Sequence, residues 1–327
     1  MAKERIGVLF GGRSGEHEVS LVSAASVMSK LDKEKFEPVM IGIDRDGRWY
    51  LQYEAKIDTE TNGMIMEKDP KSRVYAMPGD GLWCNGENLE LDSVFPVLHG
   101  TFGEDGTVQG LLEVADLPYV GAGVLASSLA MDKTMVKQIW IKSGLNVVPF
   151  HPAYRNDLFP DGDRLDAQAF ERIRSKVEEK YGYPLFIKPA RAGSSVGVKR
   201  AQNKTEMSEA LYEAFKYDTK VLIEPAIEGR EIECSVIGND ETEAFIPGEI
   251  APTHDFYDYN AKYVDPEGAR LLVPAPLEEI EREEVKRVSK QAYEAAGLLT
   301  QHAGEPFGAE IPTEFTPEFV RQEGAAG

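Results

Sequence analysis

A short apolar run that ends in a lysine and passes directly into small residues constrains this chain more than any other feature. Phe186 to Val198 reads F-I-K-P-A-R-A-G-S-S-V-G-V. An apolar run of this length, followed by Pro and Gly, predicts a buried strand delivering a loop. Gly193 and Gly197 permit positive φ and close approach of backbone to a ligand, while Ser194 and Ser195 add hydroxyl donors. Successive backbone N–H groups in such a loop form an anion-binding concavity, and Lys188 supplies the compensating charge. A nucleotide phosphate is the anion expected. A plain Gly/Ser hairpin between two strands is the alternative.

With 327 residues and 42% hydrophobic content, the chain is globular and long enough for two or three domains. Its 36 basic and 56 acidic residues give a net charge of -20, which repels phosphate backbones and anionic lipid, so neither nucleic acid nor membrane is expected as a partner. Cys84 and Cys234 have no paired spacing, and neither a secretory leader nor a long apolar stretch is present, so free thiols and a cytoplasmic location are expected. The histidines (His17, His99, His151, His254, His302) lack zinc-site spacing, and no dedicated all-protein metal site is expected.

Arg5–Phe10 reads as a buried strand broken by Gly11-Gly12 and followed by a helix over Val19–Leu31. A second strand at Phe36–Ile43 runs into the hairpin signal Asp44–Gly47, and a third at Val94–Leu98 ends at His99. Alternating strands and helices predict an α/β fold with an open parallel sheet, whose ligands collect at strand carboxyl ends, where Gly11–Glu18 and His99–Thr107 fall. Asp132 caps a helix to Ser143 that Gly144 ends, Pro149 and Asn156–Asp166 read as loop, and Asp166–Tyr181 as a long helix. Then come a helix at Lys204–Phe215 and strands at Val221–Pro225, Glu231–Ile237 and Glu243–Ile246. Thr253–Gly268, rich in aromatics, reads as a long loop suited to a lid, and Leu277–Ala296 as a charged amphipathic helix closed by Gly297.

Taken in order, the segments Gly11–Ser20 (G-G-R-S-G-E-H-E-V-S), His99–Gly110 (H-G-T-F-G-E-D-G-T-V-Q-G), Met131–Lys133, the phosphate loop, Glu224–Glu231 (E-P-A-I-E-G-R-E) and Phe256–Tyr263 (F-Y-D-Y-N-A-K-Y) resemble the D-alanine:D-alanine ligases of the ATP-grasp superfamily. The resemblance runs from Arg5 to about Gly297. It implies an N-terminal α/β first-substrate domain (1–125), a central ATP-grasp subdomain (126–218), a C-terminal ATP-grasp subdomain (219–297) that is incomplete, and an atypical, disordered tail (298–327). It also implies ATP-driven joining of two D-alanines through an acyl phosphate, for peptidoglycan precursors. ATP and Mg2+ (or Mn2+) are the implied cofactors, D-alanine and ATP the small-molecule partners, and a homodimer the candidate assembly.

Residue by residue, the resemblance assigns Lys133, Lys188, Ser195 and the lid lysine Lys262 to the phosphates, and Glu224 and Glu231 to adenine and ribose. Glu16 would anchor the first D-alanine's ammonium in a network with Ser194 and Tyr263, and His99 and Val19 fall in the first-substrate region. On residues alone Glu18 competes evenly with Glu16, and His99 reads equally well as a structural residue. The Y-N-A-K-Y form of the lid resembles the dipeptide-forming type.

After Gly297 the resemblance stops: the family's metal-ligating aspartate and N-E-x-N segment have no counterpart, so the metal ligands are unknown. The Pro-, Gly- and Glu-rich stretch from Leu298 suggests a frame change or truncation in the gene. A catalytically impaired remnant that binds nucleotide is therefore the alternative to an active ligase, and a D-alanine:D-lactate or D-serine ligase a further one.

Overall fold

The computed structural model describes residues 3–252 and 269–298, in two compact units, one built chiefly on Met1–Ser128 and the other on 129–237 with 242–296. The expected lid and all but Leu298 of the expected tail lie outside the described residues.

In the first unit, strands β1 (Glu4–Gly11), β2 (Phe36–Ile43), β3 (Trp49–Gln52), β4 (Arg73–Ala76), β5 (Leu82–Cys84), β6 (Glu87–Asn88) and β7 (Ser93–Val97) form one sheet in the order β6-β5-β4-β3-β2-β1-β7. The parallel part is β2-β1-β7, and β3 to β6 extend it antiparallel. The extension begins at the Asp44–Gly47 turn, where the Asp44 carboxylate accepts from the backbone N–H groups of Asp46 and Arg48 and Gly47 has φ +83°. Period-two alternation splits β1 between two cores. Ile6, Val8 and Phe10 pack with Ala24, Val27 and Met28 of helix α1 (His17–Lys30), whereas Leu9 packs with Val108 and Leu112 of α2 (Thr107–Val114). The fully buried Val8, Leu9, Phe10 and Leu112 each contribute roughly 1.5–3 kcal/mol. The unit's last helix, α3 (Val124–Met131), runs past its boundary.

The second unit opens with α4 (Lys133–Lys142), capped by Asp132, whose carboxylate accepts from the N–H groups of Thr134 and Met135 and from the Thr134 hydroxyl. Strands β8 (His151–Tyr154), β9 (Leu185–Pro189), β10 (Lys199–Ala201) and β11 (Lys220–Pro225) make an antiparallel sheet in the order β10-β9-β11-β8. Strand β8 and the short helix α5 (Arg155–Leu158) replace much of the loop expected around Pro149–Asp166, because β8 pairs with β11 from far along the chain. Leu185, Ile187, Val221 and Ile223 turn to a core closed by α6 (Ala167–Tyr181) and α7 (Lys204–Ala214) through Phe170, Val177, Met207 and Leu211. The sheet takes in β11 and so extends past the boundary expected at 218.

Strand β12 (Glu231–Glu233) precedes the hairpin β13–β14 (Val236–Gly238, Thr242–Ala244), and β15 (Gly248–Pro252) and β16 (Ala269–Leu272) complete a sheet in the order β12-β15-β16. Helix α8 (Glu279–Ala295) starts with a capping box between Glu278 and Glu281 and ends before Gly297, φ +65°.

Candidate active site

In the first unit, the two glycine-rich turns at the carboxyl ends of β1 and β7 are stitched together. Ser20, fully buried, accepts from the Gly11 N–H at 2.8 Å and donates to the Val97 carbonyl. Ser14 donates to the His99 carbonyl at 2.6 Å and accepts from the Glu16 N–H at 3.1 Å. Gly100 (φ +70°) faces Glu16 so closely that a Cβ there would have to displace the Glu16 carboxylate as well as hold a strained backbone, which glycine avoids.

The two acids that sequence left equivalent are separated by this packing. Glu16 is buried at 8% exposure and its side chain does not cap α1, whereas Glu18 lies at the surface in an ion pair with Arg45. Burial pulls the Glu18 carboxyl up, but the Arg45 hydrogen bond and charge outweigh it, and its pKa is lowered. His99 has its ring Nε2 2.9 Å from the hydroxyl of Ser23 on α1, a partner not evident from the sequence. Val19 is half-buried on the first turn of α1. His17 is buried, with Nδ1 2.7 Å from the Gly12 carbonyl, and is a packing residue of the glycine turn.

In the second unit, the strands that read as uniformly buried carry two chemistries. Opposite the apolar core, β9 presents Phe186 and Lys188 and β11 presents Lys220, Leu222 and Glu224, since Lys188 pairs in register with Leu222 and Phe186 with Glu224. Helix α4 covers this face: Lys137 pairs with one oxygen of Glu224, and Asp132 pairs with Lys220. The other oxygen of Glu224 lies 3.0 Å from the Lys188 ammonium. Lys133 donates to the carbonyls of Ala192 (2.6 Å) and Pro189 (3.4 Å), at the foot of the loop that leaves β9. Lys133, Lys188 and Glu224 are 7%, 3% and 1% exposed. Burial raises the Asp132 carboxyl, but its hydrogen bonds from Lys220 and Thr134 and the Lys220 charge overcome this, and its pKa is lowered.

The loop from Ala190 to Val198 joins two antiparallel strands, so by topology it is a hairpin connection, yet its backbone is unusual for one. Positive φ falls on two consecutive serines, Ser194 (+51°) and Ser195 (+58°), as well as on Gly197 (+72°). Left-handed non-glycine residues are strained and cluster at ligand-binding segments. A Cβ on Gly197 would meet the Tyr217 ring at 2.5 Å. Arg191 pins the loop's start: its N–H (2.8 Å) and guanidinium (2.6 Å) both donate to Asp218. Ser194 and Ser195 are half-buried, and Glu231 is half-buried at the start of β12. Lys262 and Tyr263 lie outside the described residues. Lys137, Lys220 and Asp218 were missed, although K-x-L-x-E at 220–224 places two charges on one strand face and was a usable signal.

Comparison with known proteins follows the same division. Residues 5–122 match the family model described as D-ala D-ala ligase N-terminus, and residues 139–301 the one described as D-ala D-ala ligase C-terminus. The D-alanine–D-alanine ligase of Treponema denticola is 48% identical over 301 residues, 90% of this chain and 80% of that protein; the one of Natranaerobius thermophilus is 43% identical, over 90% and 79%. Among solved structures, the VanG D-Ala:D-Ser ligase from Enterococcus faecalis superposes with a TM-score of 0.75 at 32% identity, covering 90% of this chain and 83% of that one. The D-alanine-D-alanine ligase from Coxiella burnetii gives 0.70 at 31%, covering 90% and 78%. With both halves of the family pattern matched and relatives near half identity over nine-tenths of its length, the chain belongs to the D-alanine–D-alanine ligase family, with its ATP-grasp architecture.

Proposed function

We propose that this chain joins two D-alanines into D-alanyl-D-alanine at the expense of ATP. The observation that carries the reading is the lysine-bearing face of the second unit, where Lys133, almost wholly buried, donates to carbonyls at the foot of a strained Gly/Ser loop and Lys188, equally buried, lies on the strand that delivers that loop. Buried ammonium groups beside a loop of N–H and hydroxyl donors suit a phosphoryl group in transfer better than any neutral ligand. In the first step a carboxylate oxygen of one D-alanine attacks the γ-phosphorus and ADP leaves. In the second, the amine of another D-alanine attacks the acyl carbonyl, phosphate leaves, and the nitrogen gives up a proton.

Lys133 and Lys188 hold the phosphates and offset the charge that builds on them, with Ser195 and the lid lysine Lys262 adding donors. Glu224 and Glu231 serve the nucleoside end. Glu16, buried against Gly100, takes the first substrate's ammonium, with His99 and Val19 shaping its surroundings. Ser194 and Tyr263 complete the assigned set. Magnesium is expected to accompany ATP, but among the described residues no group of three or more His, Cys, Asp or Glu side chains is arranged to hold a metal ion. Small molecules as partners, a cytoplasmic location and a homodimer belong to the same proposal. The net charge of -20 disfavours nucleic acid as a partner, and no helix among the described residues is long and apolar enough to cross a membrane.

The test is phosphate release from ATP on adding D-alanine, with the dipeptide identified by mass. D-Alanine-dependent release with dipeptide supports the reading. Nucleotide binding without release would establish the non-catalytic alternative, and a panel of D-serine and D-lactate, in which either outpaces D-alanine, would move the second-substrate assignment.

A further inference from the structure

We infer that Lys137 is a positioning residue of the nucleotide site, acting through Glu224. The inference rests on the proposed ATP reading and extends it to a side chain that none of the family motifs above contains. Glu224 is 1% exposed and divides its carboxylate between two lysines from different elements: Oε2 lies 3.0 Å from Lys188 Nζ on the neighbouring strand, and Oε1 pairs with Lys137 on α4. Lys137 is itself tethered, donating to the Val148 carbonyl at 3.3 Å, with its ammonium 5.6 Å from the Phe150 ring centre. Lys188 sits on β9, the strand that leads into the loop.

A buried carboxylate with a single cationic partner would hold that partner fast, because releasing it leaves an uncompensated charge in a poorly polarisable interior. If Glu224 had Lys188 alone, each turn of Lys188 toward a phosphate would strip the carboxylate of its partner. With Lys137 fixed on Oε1, Glu224 stays paired while Lys188 exchanges its contact for a phosphate oxygen. The trio also carries one net positive charge rather than none, which favours a polyanion. Lys137 thus lowers the electrostatic penalty of recruiting Lys188, with no contact of its own to the nucleotide required.

This separates an electrostatic role from a packing role by ligand charge. Calorimetric binding of ATP and of adenosine is compared in the wild-type chain, Lys137→Met, Lys137→Arg, Glu224→Gln and the double variant Lys137→Met/Glu224→Gln, each checked for folding by thermal unfolding. The expected result is about a tenfold loss of ATP affinity in Lys137→Met, with adenosine affinity changed less than about twofold. Lys137→Arg, which keeps the charge, recovers most of it. The double variant, which leaves no unpaired buried carboxylate, folds even where Lys137→Met does not and binds ATP within about twofold of Glu224→Gln alone, because Lys137 acts through Glu224. Equal loss for both ligands, or no loss of ATP affinity, would overturn the inference. Wild-type protein that binds no ATP would overturn the underlying reading and this one with it.

Discussion

Gly100 shows how one missing methyl group can define a site. Its φ of +70° and the nearness of the Glu16 carboxylate leave no space for a Cβ, so Gly100→Ala must displace Glu16 or distort the turn. The expected outcome is a rise of about tenfold or more in KM for D-alanine, together with about 1–3 kcal/mol of lost stability measured by urea unfolding. Glu16→Gln is expected to raise KM for D-alanine by at least tenfold, and Glu18→Gln, which touches only an exposed ion pair, to leave it within about twofold. Steady-state kinetics of the two variants side by side checks the assignment, and equal effects would count against it. Ser23 lies 2.9 Å from His99 Nε2, and its hydroxyl can accept from or donate to that nitrogen according to the tautomer. Ser23→Ala is expected to shift the His99 ring 15N resonances while leaving the fold unchanged; unmoved resonances would show that the hydroxyl does not set the tautomer.

Helix α4 illustrates how an element acquires a function from what it covers. Asp132 caps its first turn, and the same carboxylate receives the Lys220 ammonium from β11, so one side chain ends the helix and fastens it to the sheet. Both partners are mostly buried, with 12% and 16% of the side chains exposed. Removing one leaves the other unpaired, and Lys220→Met is expected to lower stability by about 2–4 kcal/mol, measured by urea unfolding at neutral pH. Period-two alternation explains why Lys188 and Glu224 share a face while Ile187 and Ile223 face the core. What alternation alone leaves open is the identity of the covering element, since a polar strand face is compatible with solvent, a ligand or a helix.

For the molecule as a whole, acid is the condition most informative about these charge pairs. Asp132 and Asp44 both have pKa values lowered below the usual aspartate range near 4, Asp132 against its burial by Lys220 and Thr134, Asp44 against its burial by the N–H groups of Arg48 and Asp46. A group whose folded pKa is depressed stabilises the fold above its unfolded pKa, and that contribution is lost as pH falls through the folded value. The melting temperature is expected to drop as pH falls below about 4, and to drop less steeply in Lys220→Met, where the lysine contribution is already absent. Parallel curves for the two proteins would rule out the pair as a source of acid sensitivity. Much of this architecture was legible beforehand: the glycine turns, the Asp132 cap, the long helix ending at Tyr181 and the strand that delivers Lys188 are written in residues a few positions apart. The meander over Arg73–Asn88 and the strand His151–Tyr154 were not, because short strands gain their identity from partners elsewhere. The same distinction governs the candidate site. By itself the sequence determined which chemistries are present, and the approximate extent of its longer helices, since backbone preferences and side-chain period act locally. Only the tertiary structure decided that Glu16 and not Glu18 is enclosed, and that Glu224 is shared by Lys188 and by Lys137, 87 residues away; burial and charge pairing depend on register and packing between distant segments, which no local pattern encodes.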